Sequence, residues 1–131
     1  MRKLEVPAKV DEFLRQPNAA VIACVRPDGF PMTVATWYDW ANGQVLVNMD
    51  AKRSRLDWMR HNAKVALTMF DRDWYRHVSL YGEVVAIEDD PDLADIDRLA
   101  RRYTGRPYGS RKAKRVSAWI DPRGWHVWGR L

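Results

Sequence analysis

The chain contains a single cysteine, Cys24, among 131 residues. That excludes an internal disulfide and a cysteine-based zinc site, and it fits a reducing compartment. Its three histidines, His61, His77 and His126, are scattered. Their spacing matches no metal-ligand pattern, so no metal is expected. No apolar run approaches the roughly 20 residues that span a bilayer, and the opening residues, Met1 to Pro7, lack the apolar stretch of a secretory signal. The expectation is a cytoplasmic protein with no membrane partner. Internal repeats, low-complexity tracts and interdomain linkers are also missing, which leaves one domain over residues 1–131. A chain of that length can bury about two-thirds of its unfolded surface in a single core. No catalytic triad, paired-carboxylate motif or evident general base stands out, so the sequence nominates no catalytic residue.

Positive charge and tryptophan are in excess. The formal net charge is +5 and there are seven tryptophans, with a pI near 9.6. A basic balance favours an anionic partner without saying which: nucleic acid, a membrane surface or a small phosphate compound. Basic residues gather at 52–60 and 98–115, acids at 88–97. The tryptophans could form a rigid core or line a site for a flat aromatic ligand.

Hydrophobic spacing predicts a short helix over 6–16, stopped by Pro17. An apolar strand over 19–25 and a strand over 30–40 flank the Pro27-Asp28-Gly29 turn. Ala41-Asn42-Gly43 turns the chain into a third strand over 44–49. A helix over 51–61 follows, with Asp50 as its N-cap, then strands over 63–70 and 75–87. Gly82 interrupts the latter as a bend or bulge. A second helix is expected over 89–103, with acids first and Arg101 and Arg102 last, as the helix dipole prefers. Closing strands over 116–120 and 125–128 surround a Pro-Arg-Gly turn. The sum is a mainly β protein, a closed or split barrel of about six antiparallel strands with peripheral helices.

The helix after the third strand is the odd one. Lys52, Arg53 and Arg55 crowd the end where backbone N–H groups already concentrate partial positive charge. Such crowding is relieved by an arriving anion, and a phosphate held there would also meet Ser54. The competing reading is a solvated charged helix face. Trp37 and Tyr38 point to opposite sides of their strand, so one of them is free to wall a groove. Trp74 and Tyr75 read as core or as a contact between subunits. His77 and His126 read as structural, and Cys24, in its apolar strand, as inert.

The series Pro27-Asp28-Gly29-Phe30-Pro31, Ala35-Thr36-Trp37-Tyr38, the basic helix, and Val78-Ser79-Leu80-Tyr81-Gly82-Glu83-Val84 resembles the pyridoxamine 5'-phosphate oxidase-like, FMN-binding split-barrel superfamily. The stretch Asp95 to Tyr108 is similar to the actinobacterial branch that uses a deazaflavin, coenzyme F-420. The resemblance implies a homodimer with the cofactor in a groove between subunits. It assigns the phosphate to Arg55, with Lys52, Arg53 and Ser54 beside it. It also implies that Val34, Ala35, Thr36, Trp37, Asn48, Met49 and Asp50 present backbone groups to the ring. Many relatives continue the basic site with Arg-Asn-Leu, where this chain has Asp57 and Trp58. The implied activity is an oxidoreductase passing hydride between coenzyme F-420 and a small organic substrate. Alternatives are an FMN-dependent enzyme of the same type, a non-catalytic flavin or deazaflavin carrier and, from charge and aromatic content alone, a nucleic-acid binder.

Overall fold

A computed structural model describes residues 4–131; the expectation for the first three residues lies outside them. The elements in chain order are α1 (Ala8–Arg15), β1 (Ala19–Val25), β2 (Pro31–Thr36), β3 (Asp39–Ala41), β4 (Gln44–Asp50), α2 (Ser54–His61), β5 (Lys64–Phe70), β6 (His77–Asp89), α3 (Ala94–Thr104) and β7 (Arg115–Trp128). The seven strands form one antiparallel sheet in the order β2-β1-β5-β6-β7-β4-β3. Its two edges, β2 and β3, are consecutive in the chain and separated only by Trp37 and Tyr38. The sheet therefore curls until its edges meet at that dipeptide, giving a mainly β barrel split along one seam. No helix of the described residues is long and apolar enough to cross a membrane.

Alternation along the strands fills the barrel. Ala20, Ile22 and Cys24 of β1, Val65, Leu67 and Met69 of β5, and Val45, Val47 and Met49 of β4 are all buried and belong to one cluster. Each fully buried branched or long side chain contributes about 1.5–3 kcal/mol of transfer free energy. Val10, Phe13 and Leu14 of α1 and Leu56 and Met59 of α2 join the same cluster. Burial raises the pKa of the Cys24 thiol, which makes it a poor nucleophile. A smaller cluster of Leu93, Ile96 and Leu99 packs against Trp37 and Tyr108. Residues 45–49 are buried without alternation: Val45, Val47 and Met49 belong to the main cluster, while Asn48 on the other face is engaged by Asp90 and Ser117.

Four expectations change. The 30–40 segment is two strands, because the peptide of Tyr38 is taken by α3: its N–H donates to the Tyr103 hydroxyl at 3.4 Å and its carbonyl accepts from Arg102 Nε at 2.9 Å. The Pro122-Arg123-Gly124 turn is absorbed into one long strand, β7. Opposite it the register shifts between Tyr81 and Gly82, so that Tyr81 pairs with Gly124 and Gly82 with Pro122. This is the bulge anticipated at Gly82, where any Cβ would collide with the Asp121 carbonyl; a side chain cannot be inserted without breaking the pairing. The helix expected from residue 89 begins at Ala94, because Asp90 folds back to cap it. Its carboxylate accepts from the N–H groups of Asp95 at 3.1 Å and Ile96 at 3.0 Å. Finally, of the two readings of Trp74 and Tyr75 the core one falls: they are 64% and 58% exposed and stack on each other in the turn before β6.

Candidate functional site

Where β4 ends, Asp50 organises the turn into α2, but not as the helix N-cap that was expected. Its Oδ1 accepts from the Lys52 N–H at 2.9 Å, and its carbonyl accepts from the Arg53 N–H at 3.0 Å. The carboxylate is used one step too early to reach the helix, so α2 starts at Ser54 and Arg53 takes the N-cap position with no side-chain cap. Lys52 and Arg53 consequently lie in the approach to the helix, and only Ser54 and Arg55 in its first turn. The electrostatic conflict survives this shift. Among the described residues no carboxylate oxygen lies within 4.0 Å of the charged nitrogens of Lys52, Arg53 or Arg55. Asp57, the acid in that first turn, faces Arg60 at 3.5 Å instead.

Lys52, Arg53 and Ser54 are exposed and Arg55 is half-buried. Burial lowers the pKa of Arg55, and the neighbouring cations Arg53 and Arg115 lower it further. A guanidinium stays charged through such a shift, so Arg55 is a desolvated cation without a counter-charge. A groove of about 250 Å³ opens along it, lined by Val34 and Thr33 of β2, Arg53, Ser54 and Trp58.

Arg55 also borders a second, larger cavity of about 390 Å³. Its walls are Thr36 and Trp37 at the barrel seam, Asn48 of β4, Tyr108 and Arg115, with Ile96 and Leu99 of α3 as an apolar side. Trp37 stacks on Tyr103 (centroids 5.5 Å apart, 9° between planes) and meets Tyr108 edge-on at 6.3 Å and 90°. Its chain neighbour Tyr38 is fully buried in the main core. The alternation argument thus resolves in favour of Trp37 as the wall.

Behind this cavity runs a polar chain that the sequence did not disclose. Asn48 Nδ2 donates to Asp90 Oδ2 at 3.2 Å and to Ser117 Oγ at 2.9 Å, and Ser117 Oγ donates to Asp95 Oδ2 at 2.6 Å. With both its N–H groups engaged, Asn48 turns its Oδ1 to Arg115, whose Nε donates at 2.9 Å. The Arg115 guanidinium lies over the Tyr108 ring, 5.0 Å from its centroid.

The structure therefore gathers Val34, Ala35, Thr36, Trp37, Asn48, Arg53, Ser54 and Arg55 around two adjoining hollows. Met49 instead faces the barrel core, 2% exposed, and Lys52 and Asp50 border the turn without lining either hollow. Arg115 and its network were missed. The signal was faint: an arginine at the first position of a strand, paired with Asp50 at the last position of another. Among the described residues no cluster of three or more His, Cys, Asp or Glu could hold a metal.

Solved structures share this architecture. An F420 reductase is 30% identical and superposes with a TM-score of 0.84 over 92% of this chain and 98% of its own. A conserved hypothetical protein from Mycobacterium tuberculosis is 25% identical, with a TM-score of 0.74 over 98% of this chain and 89% of its own. An FAD and heme binding protein from Mycobacterium smegmatis shares the fold at 16% identity and a TM-score of 0.68, over 98% of this chain and 73% of its own. No curated protein matches the sequence. The family model described as pyridoxamine 5'-phosphate oxidase matches residues 6–129. With its seven-stranded barrel, its bare cations at the start of α2 and a match over nearly its whole length, the chain belongs to the pyridoxamine 5'-phosphate oxidase family.

Proposed function

We propose that this chain is an oxidoreductase that binds a phosphorylated deazaflavin, coenzyme F-420, and serves hydride exchange with a small organic substrate; FMN is the alternative cofactor. The observation that carries the reading is the unneutralised group Lys52, Arg53 and Arg55 beside the first N–H groups of α2, which have no intrahelical acceptors. A phosphate there would neutralise the repulsion that now acts on Arg55, and Ser54 would add a hydroxyl donor. The residues present fit such a group. The similarity to an F420 reductase over most of both chains supports the deazaflavin over FMN.

When bound, the cofactor supplies the hydride chemistry itself. What the chain contributes is binding and orientation. The phosphate would anchor on Arg53, Ser54 and Arg55, and the ring would lie along β2, against the backbone of Val34 and Ala35. Trp37, Tyr108, Ile96 and Leu99 would keep water from the far side of the ring.

The groove along β2 is open on its outer side, and we expect a second copy of the chain to cover it. The outward faces of β1 and β5 carry small or apolar side chains such as Val21, Ala23 and Ala66, and Phe30 and Met32, at the hairpin end of β2, are 65% and 44% exposed. Light scattering on the purified protein should return a mass twice that of the chain.

Equilibrium titration with coenzyme F-420 and with FMN tests the main reading. Saturable binding of the deazaflavin, tighter than FMN, is expected. Binding of neither would end it. Stopped-flow oxidation of the bound, reduced cofactor by candidate acceptors then separates an enzyme from a carrier.

A further inference from the structure

We infer that the larger cavity is a subsite for a flat molecule carrying a carboxylate, with Arg115 as the residue that selects it. This rests on the reading that the cofactor's phosphate occupies the groove at Arg53, Ser54 and Arg55. Once those groups have their anion, one cation at the site is still unmatched. Arg115 reaches the cavity from the neighbouring strand, at the start of β7 opposite Asp50, and among the described residues no carboxylate oxygen lies within 4.0 Å of its guanidinium.

Its orientation is set in advance. Nε is tied to Asn48 Oδ1, and Asn48 is itself fixed by Asp90 and Ser117. The Tyr108 ring supports the guanidinium from one side. Of the guanidinium only Nε meets a protein acceptor among the described residues, which leaves the two Nη groups of this cavity-lining arginine as a parallel pair of donors, the arrangement that grips both oxygens of a carboxylate. A neutral ring edge would leave this half-buried charge uncompensated, whereas a carboxylate neutralises it and relieves its repulsion with Arg55.

The rest of the cavity suits a flat body. Trp37 and Tyr108 meet at right angles, so a planar group can lie on one ring and abut the edge of the other. Ile96 and Leu99 complete an apolar side. The volume of about 390 Å³ is that of a small-molecule site. This subsite would hold the substrate next to the cofactor and make the substrate class a conjugated or aromatic carboxylic acid.

The test uses cinnamate and its neutral, isosteric amide, cinnamamide, titrated by calorimetry into the full-length protein with and without saturating coenzyme F-420. Cinnamate should bind at least tenfold tighter than the amide in both states. Arg115→Gln should abolish that preference, Arg115→Lys should keep part of it, and both variants should hold coenzyme F-420 within about threefold of the parent. Equal binding of the two probes, a preference that survives Arg115→Gln, or displacement of cinnamate by coenzyme F-420 would overturn the subsite. If the carboxylate preference depends on Arg115 while neither F-420 nor FMN binds, the subsite stands and the cofactor reading is the one that fails.

Discussion

Two corners of this molecule hold arginines at helix ends, and they use them in opposite ways. At the α1–α3 corner, Arg102 donates from Nε to the Tyr38 carbonyl at 2.9 Å, from Nη1 to Arg15 O at 2.5 Å, and from Nη2 to Gln16 O at 2.5 Å and Leu14 O at 3.1 Å. It thereby caps the carbonyl end of α1, where a cation is favoured. Its face rests on Tyr38, 4.9 Å from the ring centroid, and Asp39 lies 3.6 Å away. At the β4–α2 corner, Arg53, Arg55 and Arg115 converge, and among the described residues no carboxylate oxygen lies within 4.0 Å of their guanidinium groups, at the helix end where a cation is disfavoured. A guanidinium whose donors all meet protein acceptors is structural. One held in place with its donors free keeps them available for a ligand, and only the arrangement of acceptors distinguishes the two.

The largest effect on this comparison is expected from Arg102→Ala. It would strand the carbonyls that end α1 and remove the tie to Tyr38, so chemical denaturation should show a loss of about 3 kcal/mol. Deazaflavin affinity of the remaining folded protein should be little changed. Equal damage to binding and to stability would erase the distinction between the corners.

Arg55→Ala should do the reverse. Cofactor affinity should fall by about ten- to a hundredfold, equivalent to about 1.4–2.8 kcal/mol. Stability should hold or rise slightly, because a half-buried cation flanked by Arg53 and Arg115 has been removed. Marked destabilisation in a urea melt would mean that Arg55 has a structural partner after all.

Tyr38→Phe sharpens the structural side. The Tyr38 hydroxyl donates to Leu14 O at 2.8 Å, with Gln16 O at 3.0 Å, and accepts from Asn18 Nδ2 at 3.1 Å. Its loss should cost about 1–2 kcal/mol. Burial also pushes the pKa of this phenol above its ordinary value of 10, so the fold retains the neutral form while the unfolded chain ionises. Stability from this source is complete below about pH 10 and is lost as the pH rises beyond it. Melting temperatures between pH 9 and 11 should fall less steeply in Tyr38→Phe than in the parent.

Lys52→Ala is the mildest test. Lys52 is exposed and lines neither hollow, so its loss should weaken cofactor binding by less than about threefold, and the difference should vanish in high salt. A deficit that persists there would make Lys52 a direct contact.

Much of this was legible in the chain. Alternation in Val45, Val47 and Met49, the turn at Pro27-Asp28-Gly29 and the spacing of Val10, Phe13 and Leu14 are local signals, and they give the early strands and the first helix. The crowding of Lys52, Arg53 and Arg55 was legible for the same reason: like charges a few residues apart must interact in any fold. The helix boundary was not, because Asp50 chooses between capping a turn and capping a helix according to where β4 delivers it. The break at Tyr38 was not either, since the groups that capture its peptide come from Tyr103 and Arg102, more than sixty residues away.

The sequence alone determined that the chain is β-rich, that tight turns punctuate its early strands, and that a positive cluster follows the strand at 44–49, since propensity, periodicity and charge spacing act over a few residues. The tertiary structure alone decided which arginines are spent and which are free. Arg102 and Arg115 both lie in basic stretches and look alike as text. Folding delivers one to the carbonyl end of α1 and the other to a single asparagine on a cavity wall. Hydrogen bonds between residues far apart in the chain set that outcome, and their geometry exists only once the sheet has closed.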